Sequence, residues 1–375
     1  MRYVFINSVY GIRSTGKLIA RQCKDLRNEG HECLVGYGRQ AVDDGQARLV
    51  RIGSPADYLV HAGISRIADC QGRLSGRATK RFIQKLEEYD PDIIWMHNLH
   101  GYYLNYEQLF SWLKTKPDIR KYWTLHDCWA FTGHCAYFTY AKCDAWKHGC
   151  GHCPRKRSYP ASYVTDNSKY NLKHKAKAFR GVRNLTIITP SRWLADLTPQ
   201  SILREYPVEV VPNEIDKSVF CPRHGSFRQK TGLENKIIVL GVAVGWEETK
   251  GLPDILELRK ILDDRYVIVL VGATKKQIQS FPDGVIGLER VGSQVELAQI
   301  YTAADVFINP THQDNYPTVN LEARACGTPV VTYDVGGSPE SAGYEFIVQE
   351  GNIRQLRDEV VRAAKVKAGD LINGQ

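Results

Sequence analysis

The sequence predicts an α/β protein made of two doubly wound, parallel-sheet domains, and three observations carry that prediction. Short apolar runs of strand length alternate with stretches of helical spacing in both halves of the chain. A glycine-bearing turn follows the first apolar run of each half, Gly11 to Gly16 in one and Gly245 to Gly251 in the other. The length, 375 residues, suits two domains that each bury a core of their own.

In chain order, Tyr3 to Asn7 is an apolar strand, and the glycine turn leads into a helix that runs to about Glu29 and ends at Gly30-His31. Strands are expected at Glu32–Gly36, Asp92–Met96, Lys121–Leu125 and Leu185–Ile188, and then at Glu209–Val211. Pro212 to Asp216 reads as the connection, which gives a first domain over 1–210 and a second over 211–375. The second half repeats the theme with strands at Ile237–Gly241, Val267–Val271, Val306–Ile308 and Pro329–Val331. Runs this apolar have to be covered on both faces, which is the condition of parallel sheets. Ligands of such sheets bind at the carboxyl ends of the strands.

Hydrophobic residues make up 43% of the chain and charged residues 24%, the balance of a water-exposed globular fold. No run approaches the ~20 apolar residues of a membrane-spanning helix. The N-terminus reads as a strand and not as a signal peptide, so a cytoplasmic enzyme is expected. Charge is unevenly shared. Residues 1–190 hold 30 Lys+Arg against 16 Asp+Glu, net +14, and residues 191–375 hold 20 against 25, net −5. The densest basic run passes through Arg155, Lys156, Arg157, Lys173, Lys175, Lys177, Arg180 and Arg183. It is either a solvated helix face or a surface for an anionic membrane or lipid-pyrophosphate acceptor. No nucleic-acid module is present, and no nucleic-acid partner is expected.

The most informative stretch runs from Asp314 through Asn315, Pro317 and Thr318 to Glu322, then into Cys326-Gly-Thr-Pro-Val-Val331. A helix beginning near Thr318 would direct its free N–H groups back toward Asp314, and Glu322 would lie one turn in. That supplies donors for phosphates and an acceptor for a ribose hydroxyl. Taken alone, two acids near a helix start could merely complement its dipole. Upstream, Lys250-Gly251 closes the turn after the first strand of the second half. In the first half, His126-Asp127 and His97 to Gly101 both end strands.

Asp314-x7-Glu322, the Gly-Thr-Pro-Val-Val strand and Gly336-Gly-Ser-Pro-Glu340 resemble, in order, the Glu-x7-Glu region of retaining family 4 glycosyltransferases. The resemblance implies the GT-B fold, two Rossmann-like doubly wound domains facing a central cleft, acceptor side first and nucleotide-sugar side second. It implies metal-independent transfer of a sugar from a nucleotide diphosphate to an acceptor hydroxyl, with retention. The acceptor class it implies is a polysaccharide or lipid-linked glycan, as in exopolysaccharide and capsule enzymes. Lys250, Gly251, the helix start at Thr318 with Asn315, and the Gly16 loop would carry the diphosphate. Glu322 would bind the ribose. Asp314 and His126 would hold the transferred sugar, with Asp127 fixing the tautomer of His126. Three departures stand out: Asp314 replaces the first Glu, Trp246 lies nearest the place where a phosphate-clamping Arg is expected, and Glu214 stands where the family more often has Gly. They leave two alternatives, a catalytically silent sugar-binding subunit and another GT-B enzyme such as an epimerase.

Four of the ten cysteines fall within one span: Cys135, Cys143, Cys150 and Cys153, with His134, His148 and His152 among them. Cys150-Gly-His-Cys153 has the form of a metal knuckle, and four thiolates could close a structural zinc site in an insertion over about 128–160. An iron–sulfur cluster is the rarer alternative. Peripheral contact with the inner face of a membrane is a further expectation from the basic first half.

Overall fold

The computed structural model describes residues 1–369, and the chain divides into two compact units, Met1–Pro212 and a second beginning at Asn213. The first unit holds seven strands: β1 (Arg2–Tyr10), β2 (Glu32–Ala41), β3 (Arg48–Arg51), β4 (Ile93–Met96), β5 (Arg120–Thr124), β6 (Leu185–Thr189) and β7 (Val208–Val210). They form one sheet in the order β3-β2-β1-β4-β5-β6-β7, and every pairing is parallel. The second unit holds β8 (Ile237–Val242), β9 (Tyr266–Val271), β10 (Val285–Leu288), β11 (Val306–Asn309), β12 (Val330–Tyr333) and β13 (Phe346–Val348). These also pair in parallel, in the order β10-β9-β8-β11-β12-β13.

Side-chain alternation explains why both sheets are buried on both faces. In β1, Val4 and Ile6 enter one core cluster while Phe5 enters another with Ile19, Cys23 and Val35. In β8 and β9, Val239, Ile268 and Leu270 face one side, and Ile238, Leu240, Val267 and Val269 face the other. The sequence missed β3, β10 and β13. All three are edge strands of only three or four residues, too short to carry a clear apolar run.

Chain order reverses between β1 and β4 in the first sheet and between β8 and β11 in the second. The carboxyl ends of those four strands are therefore the switch points where ligands of this architecture dock. The loops Gly11–Gly16, His97–Gly101, Gly245–Gly251 and His312–Thr318 follow them directly. Between β5 and the helix Ser168–Phe179 lies the cysteine-bearing segment, whose regular structure is a single short helix, Ala145–His148.

Candidate functional site

In the second unit, two loops meet at the switch point. His312 N–H donates to Thr249 O at 3.0 Å, and the Thr311 hydroxyl donates to the same oxygen at 3.2 Å. Lys250 Nζ then stands 2.7 Å from Asp314 Oδ2. The cation and the first carboxylate of the motif, 64 residues apart in sequence, thus form one partly exposed ion pair. Glycines permit this approach. A Cβ on Gly251, at φ +75°, would lie 2.1 Å from Pro310 O, and one on Gly336, at φ +60°, would lie 2.0 Å from Asp314 O.

The helix Thr318–Ala325 begins at Pro317, and no side chain caps it there. Its buried Asn320 accepts from Asn309 Nδ2 at 2.9 Å and donates to Ser341 Oγ at 2.9 Å, which fixes the helix start against β11 and the Gly336–Ser341 segment. Glu322 accepts the Tyr301 hydroxyl at 3.0 Å, so a buried tyrosine orients the second carboxylate. Asn315 is buried, and its N–H donates to Asp314 Oδ1 at 2.9 Å. Trp246 is buried too, its indole donating to Val271 O at 3.0 Å, so it props the turn and brings no charge to it.

Sequence reasoning missed His312. Its ring lies 3.2 Å from Asp254 and 2.7 Å from Glu350, and Asp254 also accepts the Tyr333 hydroxyl at 2.6 Å. The Asp254 hydrogen bond, reinforced by Glu350 and opposed by burial, raises the His312 pKa and favours the imidazolium. These partners come from distant segments, and no local spacing announces them.

In the first unit, Gly16 lies buried in the first turn of the helix Arg13–Asn28. A Cβ there would meet Val9 at 3.2 Å and the backbone of Tyr10 and Gly11 at 3.3 Å, so close packing already accounts for this glycine. His97 Nδ1 and His126 Nε2 are 3.0 Å apart, the rings stacked with centroids 5.2 Å apart. One ring nitrogen donates and the other accepts, which needs the acceptor ring neutral. Burial lowers His126 to about 4, and burial with the His126 charge drives His97 well below its usual value.

The expected Asp127–His126 pairing is corrected. Asp127 Oδ2 lies 2.9 Å from His100 Nε2, and Oδ1 accepts Trp129 N–H at 2.9 Å. Consecutive residues leaving a strand project in different directions, so the carboxylate turns to His100 while the ring of His126 turns to His97. His100 Nδ1 in turn meets the Tyr159 hydroxyl at 2.9 Å.

Cys135, Cys143, Cys150 and Cys153 all line one small cavity, together with His134. The Gly133 N–H points at Cys150 Sγ, 3.3 Å away. A hydrogen bond from Cys135 lowers the Cys153 thiol to about 7. Among the described residues, no three His, Cys, Asp or Glu side chains form a group that could hold a metal ion as they stand. Lys175, expected on the basic outer run, is instead buried, donating to Trp129 O at 2.6 Å and Thr132 O at 3.0 Å and lying 3.6 Å from the Trp129 ring centroid.

Residues 15–219 match the family model described as Glycosyltransferase Family 4, and residues 234–365 match that described as Glycosyl transferases group 1. A putative colanic acid biosynthesis glycosyl transferase, WcaC of Escherichia coli K12, is 25% identical over 292 residues, 75% of this chain and 68% of that protein. A D-inositol 3-phosphate glycosyltransferase of Actinosynnema mirum is 36% identical over 153 residues, covering 35% of this chain and only 36% of its own length. Among solved structures, sucrose-phosphate synthase from Thermosynechococcus elongatus superposes with a TM-score of 0.69 at 15% identity, over 98% of this chain and 90% of that one. HepE of Anabaena, in complex with UDP, gives 0.62 at 14%, over 98% and 94%.

Proposed function

The chain belongs to glycosyltransferase family 4, with the GT-B pair of Rossmann-like domains, and from that premise we propose that it moves a sugar from a nucleotide diphosphate to an acceptor hydroxyl with retention. The observation that carries the donor reading is the junction at the second switch point, where the Lys250 turn is pinned to the Asp314 loop ahead of an uncapped helix start. Lys250, Gly251 and the N–H groups near Thr318, with Asn315 beside them, take the diphosphate. Glu322, held by Tyr301, accepts a ribose hydroxyl. Asp314 and His126 hold the transferred sugar, and the turn bearing Gly16 contributes to the phosphate side. The UDP named in the HepE structure supports a uridine donor, and the WcaC likeness supports a glycan acceptor of exopolysaccharide type.

Calorimetry with uridine, guanosine, adenosine and thymidine diphosphates tests the donor reading. One of them should bind, and at one hundred times its dissociation constant it should stabilise the fold by ~2.7 kcal/mol. Uptake of none sinks the proposal. Product analysis with donor alone separates transfer from epimerisation or hydrolysis.

Zinc at the cysteine cluster is a second part of the proposal. The donors suit zinc in kind, although their present spacing does not yet hold an ion. Support comes from His134: its Nδ1 is fixed by Asp69 at 2.6 Å, while its buried Nε2, in the same cavity, has no hydrogen-bond partner. A carboxylate behind an imidazole is how metal-binding histidines are oriented. The four cysteines are the proposed ligands; His134 Nε2 would enter such a four-coordinate site only in place of one of them. Elemental analysis of the purified chain should find about one zinc per molecule, and the absence of both zinc and iron refutes the site.

A further inference from the structure

The helix Pro55–Ala68 of the first unit is inside out. Its buried residues are His61, Ala62 and Ser65. His61 Nδ1 lies 2.8 Å from Ser75 Oγ, and its Nε2 accepts the Gly72 N–H at 3.1 Å. The outward face instead carries Leu59, Val60, Ile64 and Ile67, which are 67%, 60%, 44% and 59% exposed. Those positions are one to eight residues apart at helical spacing, so they form a single stripe. Two more exposed apolar side chains, Tyr163 and Val164, extend it, because Tyr163 N–H donates to Arg66 O at 2.7 Å and Thr165 N–H to Ile67 O at 3.0 Å. A contiguous apolar face of this kind marks an interaction surface.

Its border is cationic. Arg66 lies on the same helix, Arg39 stands over the Tyr58 ring at 5.3 Å, and Lys156 Nζ donates to Val164 O at 3.1 Å, with Arg157 next to it. The acids of the helix and its C-cap are engaged elsewhere: Asp57 closes the N-terminal capping box with Ser54, and Asp69 holds His134. Beside the stripe opens a cavity of about 540 Å³, lined among others by Arg13, Arg39, Arg66, Tyr58, Tyr159 and Tyr163, with no carboxylate in its wall. Among the described residues no helix is long and apolar enough to cross a membrane, so this is a lateral surface and not a span.

We propose that the outward face of the helix Pro55–Ala68 lies in the interface of an anionic bilayer, and that the adjoining arginine-lined cavity receives the phosphate-bearing head of a lipid-linked acceptor from it. The apolar stripe supplies hydrophobic insertion, and the basic border supplies attraction to anionic headgroups. Only the acceptor half rests on the transferase reading; the bilayer contact stands on the surface alone.

The test is co-sedimentation of the full chain with phosphatidylethanolamine vesicles containing about 30% phosphatidylglycerol, against vesicles of phosphatidylcholine. The wild-type chain should bind the anionic vesicles preferentially. Leu59→Gln with Ile67→Gln should weaken that binding about ten-fold or more, and Arg66→Gln with Arg157→Gln should remove the preference for phosphatidylglycerol. Circular dichroism and nucleoside-diphosphate affinity of the Leu59→Gln/Ile67→Gln variant, measured on the same preparations, should match wild type, which separates failure here from failure of the donor reading. Absence of wild-type sedimentation overturns the proposal, as does equal sedimentation of the variants. So does a dimer in analytical ultracentrifugation that the Leu59→Gln/Ile67→Gln pair dissolves, since the face then serves a second copy of the chain.

Discussion

Lys250→Ala is expected to lower kcat for sugar transfer by about 10²–10³-fold, the usual cost of removing one group that stabilises charge developing in a transition state. Negative charge grows on the departing diphosphate as the glycosidic bond breaks. Lys250 is the cation held at the switch-point loop, and Trp246 is buried where the family pattern places a second one. The loss should therefore fall on kcat more than on KM. Stability should change little, because the Lys250–Asp314 pair is partly exposed and such pairs contribute ~0–1 kcal/mol. Removing the lysine also frees the Asp314 carboxylate, which would then repel the diphosphate. A Lys250→Ala/Asp314→Asn double variant should accordingly bind the nucleoside diphosphate better than Lys250→Ala alone. Steady-state kinetics paired with calorimetry reads both effects. An unchanged kcat in Lys250→Ala would show that the phosphate charge is met elsewhere.

What the sequence revealed, and what it hid, follows from how locally each feature is encoded. The central strands β4, β8, β9 and β11, and the first half of β1, could be read because burial on both faces demands an apolar run. The edge strands β3, β10 and β13 could not. They are only three or four residues long, and β3 offers just Leu49 and Val50 between two arginines. Within the site, the helix start at Thr318 was legible from Pro317 and the following apolar spacing. The Lys250–Asp314 contact, the His312 cluster and the His100–Asp127 bond were not, because each joins segments that only the crossover order of the sheet brings together. The exposed stripe of the helix Pro55–Ala68 is the most instructive case. An apolar periodic pattern ordinarily points inward, and only the buried His61 and Ser65 reveal that here it points out.

His126→Ala is the second large effect, with transfer expected to fall about 10²-fold, and its signature lies in pH as well as in rate. In the wild-type chain the His97–His126 contact requires a neutral acceptor ring, and burial keeps His126 unprotonated down to about 4. Transfer should thus show no titration of His126 between about pH 6 and 8. Stability behaves differently. The unfolded imidazole takes up its proton near pH 6.5 while the folded one refuses it until about 4. Over that interval the unfolded state binds more protons, so stability falls as the solution is acidified. Removing the His126 ring deletes part of that slope. It also leaves His97 Nδ1 without this partner beside an Nε2 that already has none. The buried orphan costs about 1–3 kcal/mol near neutral pH. Thermal unfolding at pH 7 should show His126→Ala less stable than wild type, and the gap should narrow at pH 5, because the variant loses less on acidification. If His97 were the only ring acting there, the variant would keep both full activity and the full acid slope, and the assignment of His126 to the sugar would fail.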